Sequence, residues 1–306
     1  MSISQLKPIA PVIRYAHLGI AVTDFTQSID FFSRLGFELL SCGSSHMRVM
    51  KNKGGLDLHL FQCDQNISDG KNLLMDMQGI KYPGHTHAAF SVPTVPGVKA
   101  YFENNGVGIS GTRGVSAERT LAAVFVRDPD RTTFEFENNF GPDEDVEVTG
   151  DMLGYPQSID HVGIRVSNPE ERWVWYAEKL GFNISISKYV ANEDPLKNTH
   201  PWICRTDTGA IINFLVNANT SADGNILCNE ADGVRPGIVY IAYEVEDVGT
   251  AAERLTAAGV EVVWDKELET AGWGLRDRHI LYPTDKQSIF IRDGDLNLVR
   301  LVSASS

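Results

Sequence analysis

Several features are missing from this sequence of 306 residues, and each absence excludes a class of function. The 27 lysines and arginines do not cluster and the net charge is −13, so nucleic acids and anionic membranes are not expected partners. No apolar run is long enough to span a bilayer, and the start of the sequence lacks the apolar stretch of a secretory signal. We therefore expect a soluble cytoplasmic protein.

Two further absences narrow the chemistry. The four cysteines are scattered and form no C-x-x-C pair, which argues against a disulfide framework and against a zinc knuckle. The sequence also has no glycine-rich phosphate loop and no G-x-S-x-G motif, so nucleotide binding and serine hydrolysis have no support. Any chemistry must therefore come from another arrangement of side chains.

An internal repeat is the most informative feature that is present. The segments YAHLGIAV (15–22) and IDHVGIRV (159–166) are alternating apolar runs, and each carries a histidine near its start. Each is followed by a polar turn, a helical pattern of apolar residues and a Leu-Gly-Phe sequence whose glycine suits a helix stop. Both segments therefore predict a β-α-β opening.

The second half of each repeat continues the pattern. Residues 87–109 and 240–262 read as strand, helix, glycine and strand, and a strand pair around an Asp-Pro-Asp or Asp-Gly-Asp turn follows each of them. The chain thus divides into modules at 12–140 and 157–303, joined by an acidic stretch that contains glycine. We expect an α+β fold of tandem paired βαβββ modules, each forming an open, mixed-strand, barrel-like sheet with helices outside.

Four polar residues interrupt otherwise apolar strands of the first module: His17, Asp57, His87 and Glu135. Imidazoles and carboxylates that are buried without partners cost free energy, so a cluster of them favours a bound cation. Two imidazoles with one or two carboxylates form a ligand set that suits divalent iron, manganese, nickel, cobalt or zinc. The pattern therefore predicts one divalent metal ion, held by the first module.

This arrangement resembles the vicinal oxygen chelate superfamily, the group of glyoxalases, bleomycin-resistance proteins and extradiol dioxygenases. The resemblance covers nearly the whole chain, and its motifs are HLGIAV, HAAFSV and the Asp-Pro-Asp turn before FE. It implies metal ligands on the first, fourth, fifth and eighth strands of paired units, matching His17, Asp57, His87 and Glu135, with Glu135 and Asp57 as the catalytic carboxylates. His59 is an alternative to Asp57, because the two share a strand face.

The second module matches this ligand pattern only in part. His161 corresponds to His17, but the later positions hold Asn213, Tyr240 and Arg300. A guanidinium is permanently cationic, so Arg300 excludes a metal from that position. We therefore expect His17 to be a ligand and His161 to be a structural or supporting residue. The residues expected to support the ligands or to contact the substrate are His59, His85, His161, Tyr240 and Arg300.

The resemblance implies a substrate that offers two neighbouring oxygen atoms to the metal, and it leaves three functions open. The preferred one is a glyoxalase- or epimerase-like lyase or isomerase, in which the metal polarises the substrate and Glu135 moves a proton. The second is an Fe(II) extradiol-type ring-cleaving dioxygenase, although Phe125 takes the place of the tyrosine found in that group. The third is a non-catalytic small-molecule-binding protein of the resistance type, which the intact ligand set disfavours.

Asp57 distinguishes the two enzymatic alternatives. If it coordinates the metal, four protein ligands leave two open positions, which suits a Lewis acid that chelates its substrate. If it points away, three positions are open and O2 chemistry becomes feasible. We expect coordination. The expected partner is a small-molecule substrate, and a homodimer is left open.

Overall fold

The structure is a computed structural model that describes residues 7–44, 47–63, 81–114, 121–138, 158–186, 202–217, 219–225, 235–265, 267 and 288–304. The stretch at 140–157, predicted to join the modules, lies outside the described residues.

Four βαβββ units follow one another along the chain. The first comprises β1 (Arg14–Val22), α1 (Phe25–Arg34), β2 (Phe37–Ser44), β3 (Met47–Asn52) and β4 (Asp57–Gln62). The second comprises β5 (Gly84–Ser91), α2 (Val95–Asn104), β6 (Ile109–Arg113), β7 (Ala123–Arg127) and β8 (Thr133–Glu137). The third comprises β9 (Ser158–Arg165), α3 (Pro169–Leu180), β10 (Ile184–Ser185), β11 (Trp202–Arg205) and β12 (Ile211–Leu215). The fourth comprises β13 (Gly237–Val245), α4 (Val248–Ala257), β14 (Val263–Trp264), β15 (Ser288–Arg292) and β16 (Leu298–Ser303).

Each helix begins at a polar side chain that caps it. The capping side chains accept hydrogen bonds from backbone N–H groups of the first turn, and they are Asp24, Thr94, Asn168 and Asp247. Gly181 ends α3 with φ 91°, a left-handed conformation that glycine adopts without steric cost. Within the ranges that the structure describes, no helix is long and apolar enough to cross a membrane.

The four units pair across the two modules. Strand β1 is antiparallel to β13, and β5 is antiparallel to β9. Two halves result in the described part of the chain. Half-sheet 2/3, built from the second and third units, has the order β10-β11-β12-β9-β5-β8-β7-β6. Half-sheet 1/4, built from the first and fourth units, has the order β2-β3-β4-β1-β13-β16-β15-β14. Each half-sheet therefore combines one unit from each module, and the two halves meet where His85 pairs with Ile238.

The helices cover one face of the sheet, the outer face, and bury an apolar core against it. Each helix contributes a large side chain that is almost completely buried in this core: Phe32, Phe102, Tyr176 and Leu255. Successive side chains of a strand point to opposite faces, so the strand residues that alternate with those packed against the helices lie on the inner face. The inner face is where the polar strand residues meet.

The predicted α+β class, with tandem modules, an open mixed sheet and outer helices, is confirmed. Which units pair was not predicted from the sequence. In the structure, each half-sheet joins one unit of the first module to one unit of the second. This pairing decides which polar side chains share a site.

Candidate metal centre

Three polar side chains meet on the inner face of half-sheet 2/3. His87 lies on β5, Glu135 on β8 and His161 on β9. Ala89 of β5 is flanked by Glu135 on one side and by His161 on the other, and His87 comes two residues earlier on the same strand. The strand register therefore brings together side chains from both modules.

The ligand atoms of this trio are close enough to share one ion. His87 Nε2 lies 3.2 Å from His161 Nε2, and Glu135 Oε2 lies 3.7 Å from the first and 3.8 Å from the second. We call the trio the His–Glu–His centre. Among the described histidines, cysteines, aspartates and glutamates, one other group is similarly compact, and it consists of Glu137, Asp160 and the same His161.

A hydrogen bond fixes the tautomer of His87. The Thr86 hydroxyl donates to the Gly163 carbonyl oxygen at 3.1 Å, so its oxygen is left to accept from His87 Nδ1, also at 3.1 Å. With its hydrogen on Nδ1, the ring turns the lone pair of Nε2 towards the other two ligands. His87 is therefore prepared to bind a cation through Nε2.

Two carboxylates fix His161 in the same way. His161 Nδ1 lies 2.8 Å from Glu137 Oε1 and 3.0 Å from Asp160 Oδ1. Carboxylate partners of this kind hold the ring orientation of a metal-binding histidine and raise its basicity. Burial works against the charged ring, but the hydrogen bonds to Asp160 and Glu137 and the charges of Glu137 and Glu135 raise the pKa of His161 to about 9.

Arg113 holds the glutamates. Its Nη2 donates to Glu135 Oε1 at 2.8 Å and to Glu137 Oε2 at 2.6 Å, and its Nε lies 3.2 Å from Glu135 Oε1. Glu137 is fully buried and Glu135 nearly so. The guanidinium therefore balances part of the negative charge that this half-sheet gathers on its inner face.

Gly163 leaves the space that the His87 ring occupies. The two residues are paired across β9 and β5, and a Cβ atom on Gly163 would lie 2.1 Å from His87 Cε1. A real side chain cannot approach so closely, so position 163, two residues after His161, must be glycine for the His87 imidazole to lie opposite it. Gly19 stands in the same relation to the Tyr240 ring in half-sheet 1/4, with 2.2 Å to Cε1.

Asn213 occupies the fourth-strand position of the centre. It pairs with Gly163 across β12 and β9, as His59 pairs with Gly19 in the other half-sheet. Its Oδ1 atom is buried and has no hydrogen-bond partner in the described part of the chain. An amide oxygen can accept a hydrogen bond or bind a cation, but it cannot act as the second carboxylate of a proton-transferring pair.

The donor set fits a divalent cation. Burial, the charge of His161 and the guanidinium groups of Arg113 and Arg165 lower the pKa of His87 to about 3, so this ring is neutral. If His161 were also neutral, two lone pairs would face each other at 3.2 Å beside the Glu135 carboxylate. A positive charge relieves this repulsion, and either a metal ion or a proton on His161 supplies it.

The four-ligand set predicted from the sequence is not assembled in the structure. His87 and Glu135 lie together as predicted, but His17 and Asp57 belong to β1 and β4 in half-sheet 1/4. The third member of the centre is His161, which the sequence analysis interpreted as structural or supporting. The cause is the strand pairing across modules, which places β9, and not β1, beside β5.

Asp57 forms an ion pair away from the centre. Its Oδ1 atom lies 3.3 Å from Lys51 Nζ, and its neighbour on β1 is His17. Burial raises the pKa of this carboxyl group, and the charge of Lys51 opposes that shift. Asp57 therefore does not lie beside His87, where it was expected as a fourth ligand.

His17 belongs to a second polar cluster, on the inner face of half-sheet 1/4. Its ring stacks on His59 with 3.9 Å between centroids, and its Nε2 lies 3.3 Å from Arg300 Nη1 and 3.4 Å from the Tyr240 hydroxyl. Burial is the main cause that lowers the pKa of His17 well below its usual range and the pKa of His59 to about 3. Both rings are therefore neutral, and Arg300 carries the charge.

The guanidinium of Arg300 is satisfied by side chains of this chain. It is 1% exposed and donates through Nη2 to Asp265 Oδ2 at 2.6 Å and to Ser288 Oγ at 2.8 Å. The rings of Tyr240 and Phe290 pack edge to face in an apolar cluster that fills this inner face. Tyr240 and Arg300 thus contact His17, and not the His–Glu–His centre that they were expected to support.

His85 lies on the other face of β5. A β-bulge shifts the register between His85 and His87, and His85 pairs with Ile164 and with Ile238, which belong to the outer core. Directly opposed residues share a face, so the bulge turns His85 away from His87, although residues two positions apart on a regular strand share a face. His85, which was expected to support the ligands or contact the substrate, therefore faces the outer core.

Arg113, Glu137 and Asp160 support the centre and were not predicted. Two signals for them exist in the sequence. Asp160 directly precedes the histidine of IDHVGIRV, and Glu137 follows Glu135 by two residues, which places both glutamates on one strand face. Arg113 had no local signal, because its contacts depend on how β6 pairs with β7.

Comparison with known proteins agrees with this architecture. A sequence profile of the Glyoxalase/Bleomycin resistance protein/Dioxygenase superfamily matches residues 14–136 and 158–300. Glyoxalase I from Zea mays is 17% identical, with 95% of this chain and 92% of that chain covered and a TM-score of 0.56. A suggested dioxygenase from Bacillus subtilis is 14% identical, with 97% and 87% covered and a TM-score of 0.60. No curated protein matches the chain.

At such low identities the solved structures show the fold alone, whereas the profile covers most of the sequence in two tandem segments. The chain therefore belongs to the Glyoxalase/Bleomycin resistance protein/Dioxygenase superfamily.

Proposed function

We propose that this protein is a metal-dependent enzyme that binds a small substrate through two neighbouring oxygen atoms, and that His87, Glu135 and His161 hold its metal ion. The observation that carries the proposal is the convergence of two imidazole Nε2 atoms and one carboxylate oxygen, which lie 3.2 to 3.8 Å from one another. The ion expected is a single divalent iron, manganese, nickel, cobalt or zinc.

A bound ion would act as a Lewis acid that holds both substrate oxygens and stabilises negative charge on them. The chain supplies the rest. Thr86 and the Glu137–Asp160 pair keep the two imidazoles in the tautomer that exposes Nε2. Arg113 holds one oxygen of Glu135, and the other oxygen faces the imidazoles. The two histidines come from different modules, so the site needs both.

The ligand set favours the Fe(II) ring-cleaving dioxygenase among the candidate reactions. Two histidines and one carboxylate leave three coordination positions, enough for a chelated substrate and O2. Asp57 is outside the centre, and the fourth-strand residue Asn213 is uncharged. The glyoxalase-like reaction, in contrast, gains from a second carboxylate that can move a proton.

A lyase or isomerase is the second candidate, and Phe125 favours it. Phe125 lies directly opposite Glu135 on β7, where an extradiol dioxygenase would have a hydroxyl group to donate a hydrogen bond during ring opening. Glu135 Oε2 is then the acceptor available for a proton taken from the substrate, because Glu137 and Asp160 are engaged by Arg113 and His161.

Metal analysis followed by an oxygen-electrode assay tests the proposal. The protein, purified without chelator and reconstituted with each of the five metals in turn, should bind one ion per chain. The Glu135→Ala variant should keep the circular dichroism spectrum of the parent and bind none. O2 uptake by the Fe(II) form with catechols supports the dioxygenase, and metal without O2 use supports the lyase or isomerase. Absence of metal in every preparation contradicts both and favours a binding protein.

A further inference from the structure

We propose that Arg113 is a positioning residue that orients two metal-binding side chains at once, Glu135 directly and His161 through Glu137. The inference rests on the proposed metal centre and extends it from the three ligands to the group that aims them. It concerns the direction of ligand atoms, since Arg113 itself contacts neither imidazole nitrogen in the hydrogen bonds described above.

The strand register places Arg113 where it can reach both glutamates. Arg113 is the last residue of β6 and pairs with Ala123 of β7, which in turn pairs with Glu137 of β8. The three residues form a row across the sheet. Because alanine has only a methyl group, the guanidinium can extend over Ala123 to the glutamates on the third strand. Glu135 is two residues from Glu137 and on the same face.

The first effect is on Glu135. One of its oxygens, Oε1, accepts from Nε at 3.2 Å and from Nη2 at 2.8 Å. Two donors of the guanidinium therefore hold this one oxygen by charge-assisted hydrogen bonds. The other oxygen, Oε2, is the one that faces His87 Nε2 and His161 Nε2. Arg113 therefore limits Glu135 to one oxygen for a cation and keeps the remaining positions for substrate.

The second effect reaches His161. The same Nη2 holds Glu137 Oε2 at 2.6 Å, and the opposite oxygen of Glu137 lies 2.8 Å from His161 Nδ1. Glu137 is completely buried, so it depends on these partners for its charge to be tolerated. Removing the guanidinium would release Glu137 and loosen the orientation of the imidazole.

Titration with Co²⁺ tests this inference, because the visible absorption of bound Co²⁺ depends on the number and arrangement of its ligands. Arg113→Met should lower the Co²⁺ affinity about 10- to 100-fold, the range found for residues that orient metal ligands, and should change the absorption spectrum. Arg113→Lys keeps the charge but lacks the planar guanidinium whose donors reach both glutamates, so it should fall between methionine and the parent. Arg34→Met removes an exposed ion pair with Asp30 and should match the parent.

Glu137→Gln provides a second route to the same answer. It should also weaken Co²⁺ binding, and combining it with Arg113→Met should cost less than the product of the two single effects, because both act on His161 through one contact. Parental affinity and spectrum in the folded Arg113 variants would overturn the inference, and if Arg113→Met does not fold, Arg113→Lys decides. A parent that binds no Co²⁺ or other metal would instead refute the proposed metal centre.

Discussion

Arg113 and Asp265 occupy equivalent positions in the two half-sheets and carry opposite charges. Arg113 pairs with Ala123 of β7, and Asp265 directly follows Trp264 of β14, which pairs with Ile289 of β15, next to Ser288. Each reaches the same strand position in its own half-sheet. Arg113 binds Glu135, and Asp265 binds Arg300. Both half-sheets thus have an ion pair at this place, with the charges in opposite order, so one inner face presents a carboxylate to its histidines and the other presents a guanidinium.

This exchange predicts which histidine the metal needs. His161→Ala should abolish metal binding or reduce it at least 100-fold, because it removes one of three donors in the His–Glu–His centre. His17→Ala should leave the affinity and stoichiometry unchanged, because His17 faces Arg300. Equilibrium dialysis of both variants against Zn²⁺ and Co²⁺ measures the difference. Loss of metal in His17→Ala, with retention in His161→Ala, would place the ion in half-sheet 1/4 and contradict the proposed centre.

Metal affinity should rise with pH between 6 and 8. The pKa of His161 is about 9, raised by Asp160 and Glu137 against the effect of burial, so the ring is protonated in this range without an ion. A metal must displace that proton, and the apparent affinity should increase about tenfold per pH unit until the pH approaches 9. Calorimetry in buffers of different ionisation enthalpy should detect about one proton released per ion.

The matched variant for this pH dependence is Asp160→Asn. It removes one of the anions that favour the protonated ring, so the pKa of His161 should fall and the slope should flatten at a lower pH. An affinity that does not change between pH 6 and pH 8 in the parent would contradict the assignment of the raised pKa to His161.

Gly163→Ala should damage the metal centre without a change in any ligand. The new Cβ would lie 2.1 Å from His87 Cε1, so the ring must leave its position, and overpacking of this kind costs about 1–3 kcal/mol of stability. We expect at least tenfold weaker metal binding. Gly111→Ala in the same half-sheet is the control, because its Cβ would meet Phe125 at an ordinary 3.7 Å. Equal metal affinity in both variants would show that the His87 ring is not held where the structure places it.

Arg300→Met should destabilise the fold and leave metal binding intact. The substitution strands Asp265 and removes the donor that faces His17 and Tyr240, and breaking a buried pair in this way costs about 3–5 kcal/mol. Denaturant unfolding measures the loss. The double variant Arg300→Met/Asp265→Leu should recover much of it, because no charge is then left without a partner. A stability change as small as that of an exposed ion pair, about 0.5 kcal/mol, would refute this account.

The fold could be predicted from the sequence because its signals are local. Alternating apolar runs, capping residues such as Asp24 and Asn168 and the glycine at position 181 each determine structure within a few residues, and they recur along the chain. The same signals identified His87 and Glu135, which lie on adjacent strands of one unit.

The grouping of the site residues could not be predicted in this way. All four first strands are apolar and similar, so the sequence does not reveal that β5 pairs with β9, and His17 was grouped with His87 for that reason. The sequence also gives no sign of the β-bulge before His87, which turns His85 to the opposite face of the sheet. Asp57 pairs with His17, whereas Asn213 pairs with Gly163, two residues beyond His161. The two positions are therefore not equivalent, and this too appears only in the strand pairing.

The pairing of units across modules has a consequence for how this protein can diverge. If two identical single modules associated as a symmetric dimer, each substitution would enter both half-sheets together, and a mutation that converts a ligand into arginine would eliminate every metal site. Here the two strands that face each other in each half-sheet are encoded separately on one polypeptide. Arg300 and Glu135 can therefore coexist, each at the equivalent position of its own half-sheet.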